Sequence, residues 1–299
     1  MGRRGNGRRK RPKDLGSLAS DILHVQVAEA RAHVLGAIDG ADPEDLHDLR
    51  VAVRRMRAAL RLFERALPTA GAALELAHAG LKATGATLGR ARDLDVQVGR
   101  IEEWVRSTSH GADPAAKRAV DLLAHDRAVA RQAMRRHLKG GVFERRLAAV
   151  EAAAEAARAA PARRTPRRLL RRPSKQVLLA VARARANVAD PTVFHALRID
   201  VKRLRYALEF LEPSLPSSPR RLLGQLRSAQ DALGALQDAT VEQALADRLI
   251  GQATGDGAVR NVLEEYKRAQ ALRQRAQLAA CAGILGDLEQ AVRALRSSL

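Results

Sequence analysis

The chain contains one segment twice, and that duplication restricts its fold more than any other feature. Residues 42–64, DPEDLHDLRVAVRRMRAALRLFE, align without gaps on residues 190–212, DPTVFHALRIDVKRLRYALEFLE, and 11 of the 23 positions are identical. His47 matches His195, Arg50 matches Arg198, Arg57 matches Arg205, and Arg54 keeps its charge as Lys202. A second pair follows in the same order. LKATGATLGRARDLDV (81–96) aligns with LRSAQDALGALQDATV (226–241), keeping Gly89/Gly234, Asp93/Asp238 and the basic pair Lys82/Arg227. Two related segments at nearly the same spacing predict a duplicated domain; two copies are too few for a solenoid.

Composition decides what fills the halves. Hydrophobic residues make up 46% of the chain but aromatics only 2%, so the core must be Ala, Leu and Val. Ala and Leu are strong helix formers, which favours an all-α protein. Apolar residues recur at three- and four-residue spacing through 17–38, 44–66, 70–107, 114–139 and 142–159. The pattern resumes at 174–188, 192–212, 218–237, 239–253 and 258–296, and no stretch shows period-two alternation. Asp42 and Asp190 each precede a proline, as at a helix start. The expected plan is a basic tail (1–14), a first half (15–160), a basic linker (161–173) and a second half (174–296).

The net charge is +20 and unevenly spread. Residues 1–13 hold seven basic groups and residues 161–173 six, with no acid in either, leaving 40 of the 53 basic groups against 33 acids elsewhere. Both segments are punctuated by Gly or Pro and lack apolar periodicity, so they read as disordered or loosely held. The lone Cys281 excludes an internal disulfide and a Cys-rich zinc site. No apolar run approaches the roughly 20 residues of a membrane span, and no apolar stretch follows the basic N-terminus as a secretory signal requires. A soluble, cytoplasmic protein is expected.

Helical geometry turns the motif into a surface. At 100° per residue, His47, Arg50, Arg54, Arg57 and Arg61 fall within one stripe of about 80°, while Leu49, Val53, Met56, Leu60 and Phe63 take the opposite, core-facing side. His195, Arg198, Lys202 and Arg205 repeat the stripe. No acid lies within the first row, and unpaired like charges along a helix repel. Asp93 and Asp238 are candidates to neutralise the rows; otherwise an anionic partner must. On the following helix, Gly85 and Gly89 share a face with Lys82 and Arg92. Interior glycine costs about 1 kcal/mol against Ala and is tolerated where a ligand or another helix comes close. A groove flanked by Lys82 and Arg92, or plain helix packing, would each explain it.

Repeated Arg and Lys one turn apart match a polymer of phosphates, since Arg grips phosphate oxygens bidentately and Lys adds a point charge. The aromatics are too few to form stacking platforms for single-stranded nucleic acid, and no helix-turn-helix or zinc-finger spacing is present. A bare phosphate chain suits the composition better.

LHDLRVAVRRMRAAL (46–60), LGRARDLDV (88–96), FHALRIDVKRLRYALEF (194–210) and LGALQD (233–238) resemble the CHAD family, the conserved histidine α-helical domain, over about residues 15–296. The resemblance implies two four-helix bundles related by pseudo-two-fold symmetry. It also implies binding of inorganic polyphosphate in a basic central groove or pore, with some members associated with polyphosphate granules. The implied ligands are His47, Arg50, Arg54, Arg57, Lys82 and Arg92, with Arg61 on the same row, and His195, Arg198, Lys202, Arg205 and Arg227 in the second half. Arg131 and Arg135 on the 114–139 helix join them. The second copy is less basic, because Glu209 stands at the place of Arg61 and Gln237 at that of Arg92.

Other readings stay open. Neither His47 nor His195 has a second His or Cys at helical ligand spacing, so a metal site is not expected. No P-loop, paired-carboxylate motif or Ser-His-Asp arrangement stands out, so the expectation is binding without catalysis and without a cofactor. The alternatives are a nucleic-acid binder using the tail and linker, and a metal-dependent phosphohydrolase.

Overall fold

A computed structural model describes residues 14–111, 113–216 and 218–299; the basic tail, apart from Asp14, lies outside them. Ten α-helices account for most of the described chain: α1 (Leu15–Asp39), α2 (Pro43–Glu64), α3 (Gly71–Ser107), α4 (Pro114–Lys139), α5 (Val142–Ala159), α6 (Pro166–Ala186), α7 (Pro191–Leu211), α8 (Arg220–Gln252), α9 (Gly257–Gly283) and α10 (Leu285–Ser297). No strand occurs among the described residues.

Helix starts follow local chemistry. Asp14, Asp42, Asp113, Asp190 and Asp256 each accept a backbone N–H of the first turn, which would otherwise have no partner. In the two motif helices the following proline occupies the position whose N–H is not needed. Gly40 ends α1 in the left-handed conformation at φ 80°.

Helices α1, α2, α3 and α5 pack in a closed ring, each touching the next, and α6, α7, α8 and α10 form a second ring with the same order of contacts. The buried faces are rows of Leu and Ala, with Phe63, Phe143, Phe194 and Tyr266 as the largest fully covered side chains. Small residues let helices approach closely. A Cβ at Gly16 would lie 2.5 Å from the Ala157 carbonyl oxygen, so only glycine admits α5 there. The long α3 and α8 extend beyond the rings to carry α4 and α9, which pack on each other.

The halves therefore meet twice. The motif helices α2 and α7 are in contact, and at the far end α3 and α4 meet α8 and α9. The far junction is polar and aromatic. Arg100 bridges to Asp238 and to buried Glu242, Arg118 to Asp256, Arg248 to Asp126 and His110 to Glu265, while Trp104 packs edge-on against Tyr266 at 5.2 Å.

Three expectations need correction. The basic linker is short: residues 166–173 form the first two turns of α6. Thr165 caps the Arg168 N–H, and Leu169 and Leu170 are buried. Two apolar anchors outweigh the helix-breaking Pro173, whose missing N–H leaves only the Leu169 carbonyl without its helical donor. Residues 220–252 form one helix where a break near 238 was expected, and residues 258–296 form two helices, α9 and α10. The periodic pattern is the same on either side of both boundaries, so it cannot place them.

Candidate polyanion-binding site

Where α2 crosses α7, the two basic rows face each other. Arg54 donates from Nε to the Tyr206 hydroxyl at 2.9 Å, and Arg55 Nη1 donates to Glu209 Oε2 at 2.9 Å. The Arg55 guanidinium lies 5.2 Å from the Phe210 ring centre, and that of Arg205 lies 4.6 Å from the Tyr206 centre. Such cation–ring contacts hold positive charge at a junction short of acids.

The convergence has an electrostatic consequence. Burial pushes the Lys202 ammonium down to about 7, assisted by Arg54, Arg198, Arg50 and Arg205, two from each motif helix. Burial also lowers Arg50 from its ordinary value; Asp93 at 3.1 Å opposes this, while Arg54, Arg92 and Arg198 reinforce it. Arg57 is lowered by burial and then by Arg61. The buried Nε atoms of Arg57 and Arg198 have no hydrogen-bond partner. Buried donors aimed at nothing are costly to keep, and an anionic acceptor would satisfy them.

A cleft of about 780 Å³ opens here. Arg54, Arg57 and Arg61 of α2 and Arg65 just past its end line one wall, and Arg198, Lys202 and Tyr206 of α7 another. His78 of α3 also reaches it, and burial followed by Arg61 and Arg57 holds its imidazole below the usual value. The acid of α7 in the lining, Asp200, pairs with Arg203 at 3.1 Å. A second hollow of about 610 Å³ between the two junctions is lined by Arg50, Gly85, Gly89, Arg90, Asp93, Asp126 and Arg248 among others.

The glycines of α3 act differently from expectation. A Cβ at Gly85 would lie 3.1 Å from Arg57 Nη1, and one at Gly89 would lie 3.8 Å from Arg50 Nε. These glycines seat the arginines of α2 and border the second hollow, but Lys82 and Arg92 do not flank it. Arg92 instead turns to the start of α2, bonding Glu44 at 3.1 Å and the Pro43 carbonyl at 3.3 Å. Lys82 is exposed and outside the cleft lining.

The other expected ligands divide. Arg131, with Arg127, is bound to Asp95, whose carboxyl the two arginines hold below its usual range against the cost of burial. Arg135 donates to the carbonyls of Ile38 and Asp39 at the end of α1. The structure does not bring Arg131 and Arg135 to the cleft; they tie α4 to α3 and α1. Arg205 is held by Gln230 at 2.8 Å and Glu209 at 2.5 Å, and exposed Arg227 reaches Glu209 at 3.5 Å. His195 bonds the side chain of Gln237, and neither His195 nor half-buried His47 lines the cleft.

Sequence reasoning missed Arg65, His78, Arg164, Arg168 and Arg172, all of which line the cleft. Arg65 continues the α2 row four residues beyond Arg61, a readable signal. Arg164, Arg168 and Arg172 recur every four residues, but Pro166 and Pro173 mask that helical spacing.

Among the described residues, no group of three or more His, Cys, Asp or Glu side chains could hold a metal ion, and no helix is long and apolar enough to cross a membrane.

The same architecture occurs in known structures. The CHAD domain from the plant Ricinus communis superposes with a TM-score of 0.72 at 26% identity, covering 93% of this chain and 96% of that one. PptA from Streptomyces chartreusis superposes at 0.68 and 20% identity, covering 91% and 99%. No curated protein matches the chain in sequence. The CHAD domain family model matches residues 21–247, a span that includes both copies of the motif and the α2–α7 junction, and the chain therefore belongs to the CHAD domain family.

Proposed function

We propose that this protein binds linear inorganic polyphosphate in the α2–α7 cleft and performs no chemistry on it. One observation carries the reading: Arg54, Arg57 and Arg61 from one half converge with Arg198 and Lys202 from the other, and none of the five forms an ion pair among the described residues. Converging cations cost folding energy, and a polymer of phosphates offsets that cost by accepting a charge-assisted hydrogen bond from each. The polyphosphate binding that the CHAD-family resemblance implies points the same way, and recruitment to polyphosphate granules would follow from such binding.

Titration of long-chain polyphosphate against DNA at equal phosphate concentration tests the reading. Polyphosphate is expected to bind more tightly, with affinity falling steeply as salt rises. Deleting residues 1–13 should weaken any DNA binding and spare polyphosphate binding. Equal affinity for both polymers, lost together with the tail, would favour nucleic acid. Phosphate release on adding magnesium or manganese would favour a hydrolase.

A further inference from the structure

The connection between the halves supplies a third wall to the cleft. Arg164, Arg168 and Arg172 line it together with the α2 row. No Asp or Glu occurs from residue 156 to 189, and none of the three guanidiniums forms an ion pair among the described residues. The wall is nevertheless fixed in place. The Arg163 N–H donates to the Ala66 carbonyl at 3.0 Å, which pins the connection to the end of α2. Leu169 and Leu170 are buried, which anchors the first turn of α6. Arg168 and Arg172 are thus one turn apart on an exposed helix face, and their outward placement costs no further ordering of backbone.

This wall starts at the far end of the α2 row. The α2–α7 crossing holds Arg54, Arg198 and Lys202, while the pinned connection sits by the C-terminal end of α2, beyond Arg65. From Arg54 to Arg65 the α2 row climbs about 16 Å. A short phosphate oligomer held at the crossing would satisfy the central cations and leave the third wall untouched. A long chain continuing along the α2 row would run between that row and the third wall.

We propose that Arg164, Arg168 and Arg172 form an extension of the binding site that makes affinity depend on polyphosphate chain length. This rests on the polyphosphate reading above. The three arginines engage the part of a long chain that emerges from the α2–α7 centre, and they contribute nothing to an oligomer that ends there.

The test compares tripolyphosphate with long-chain polyphosphate by calorimetric titration of the full chain and of R164Q/R168Q/R172Q. Glutamine keeps the helix propensity of Arg while removing its charge. The triple variant should bind tripolyphosphate within about twofold of the parent and long chains about tenfold more weakly, with a salt slope shallower by about two. The control R136Q/R145Q/R260Q removes equal charge from exposed sites outside the cleft lining and should lose far less. Unchanged long-chain affinity in the cleft variant, an equal loss for both ligands, or an equal loss in the control would each overturn the extension while leaving the central site intact. A parent protein that binds neither ligand would overturn the polyphosphate reading itself, and the extension with it.

Discussion

Asp93 pairs with Arg50 at 3.1 Å, but Asp238, its counterpart in the second copy, is taken by Arg100 of the other half at 2.5 Å. Arg198, the counterpart of Arg50, is left with a buried Nε and no acceptor. The two copies place the same residues on the same faces, yet one is neutralised by its own half and the other is not. That difference adds Arg198 to the unpaired cations of the centre.

Arg57 and Arg198 are the first test of this charge. Each presents a buried, unpartnered donor, so replacing both with Ala removes a folding cost along with a ligand. R57A/R198A should lose polyphosphate affinity by about tenfold or more, since a hydrogen bond to a charged group contributes about 1.5–3 kcal/mol. Its thermal midpoint, followed by circular dichroism at 222 nm, should equal or exceed that of the parent. A lower midpoint with unchanged affinity would show that both arginines support the fold and do not serve the site.

Tyr206 separates position from charge. Its hydroxyl holds Arg54 Nε at 2.9 Å, and its ring stacks on Phe210. Tyr206→Phe keeps the ring and frees the arginine, so affinity should fall only about fivefold, equivalent to about 1 kcal/mol. Arg54→Ala should lose more, because it removes the charge as well. If the order were reversed, the phenol and not the guanidinium would be contacting the ligand.

Glu209 supports the junction without contacting the ligand. It receives Arg55, Arg205 and Arg227, and its side chain is only 12% exposed. Glu209→Gln leaves two half-buried guanidiniums short of their counter-charge and should destabilise the fold by about 3 kcal/mol. Affinity for polyphosphate should hold or rise, since the cleft becomes more positive. Chemical denaturation and titration of the same sample distinguish the two effects.

Lys202 predicts a pH dependence. In the unliganded fold its ammonium titrates near 7, because burial and then Arg54, Arg198, Arg50 and Arg205 disfavour the charge. Above that pH the free protein holds the amine largely neutral, whereas a bound polyanion restores the proton. Binding above pH 7 should therefore take up a proton, and affinity should fall as pH rises toward the ordinary lysine range. Titrations in buffers of different ionisation enthalpy measure the uptake, and Lys202→Met should abolish it. Fold stability follows the opposite trend. Between about 7 and 10.5 the unfolded chain binds more protons at this site than the folded one, so the Lys202 contribution to stability rises with pH across that window. Lys202→Met should accordingly raise the thermal midpoint of the ligand-free protein below pH 7.

Gly16 and Gly85 distinguish a structural glycine from a seat for a ligand-binding arginine. A Cβ at residue 16 would meet the Ala157 carbonyl oxygen at 2.5 Å, a backbone atom that cannot move without shifting α5. At residue 85 it would meet the mobile end of Arg57 at 3.1 Å. Gly16→Ala should lower the thermal midpoint. Gly85→Ala should keep or raise it, through a helix-propensity gain of about 1 kcal/mol, while weakening polyphosphate binding. Denaturation midpoints of the two variants, read beside one titration, would show whether the seats differ in this way.

Much of the architecture is present in the linear chain because its causes are local or periodic. The Asp-Pro starts of α2 and α7, the apolar stripe from Leu49 to Phe63 and the basic stripe from Arg50 to Arg61 depend on 3.6-residue geometry alone, and the repeat at 148 residues announces the second half. Tertiary structure decided which charges stay free. Whether Asp93 or Asp238 reaches a motif arginine, whether Arg131 faces the cleft or Asp95, and whether Arg164 and Arg168 join Arg61 all depend on distances between elements far apart in sequence. Coulombic pairing falls off over a few ångströms, and helix periodicity carries no information about what lies across the gap.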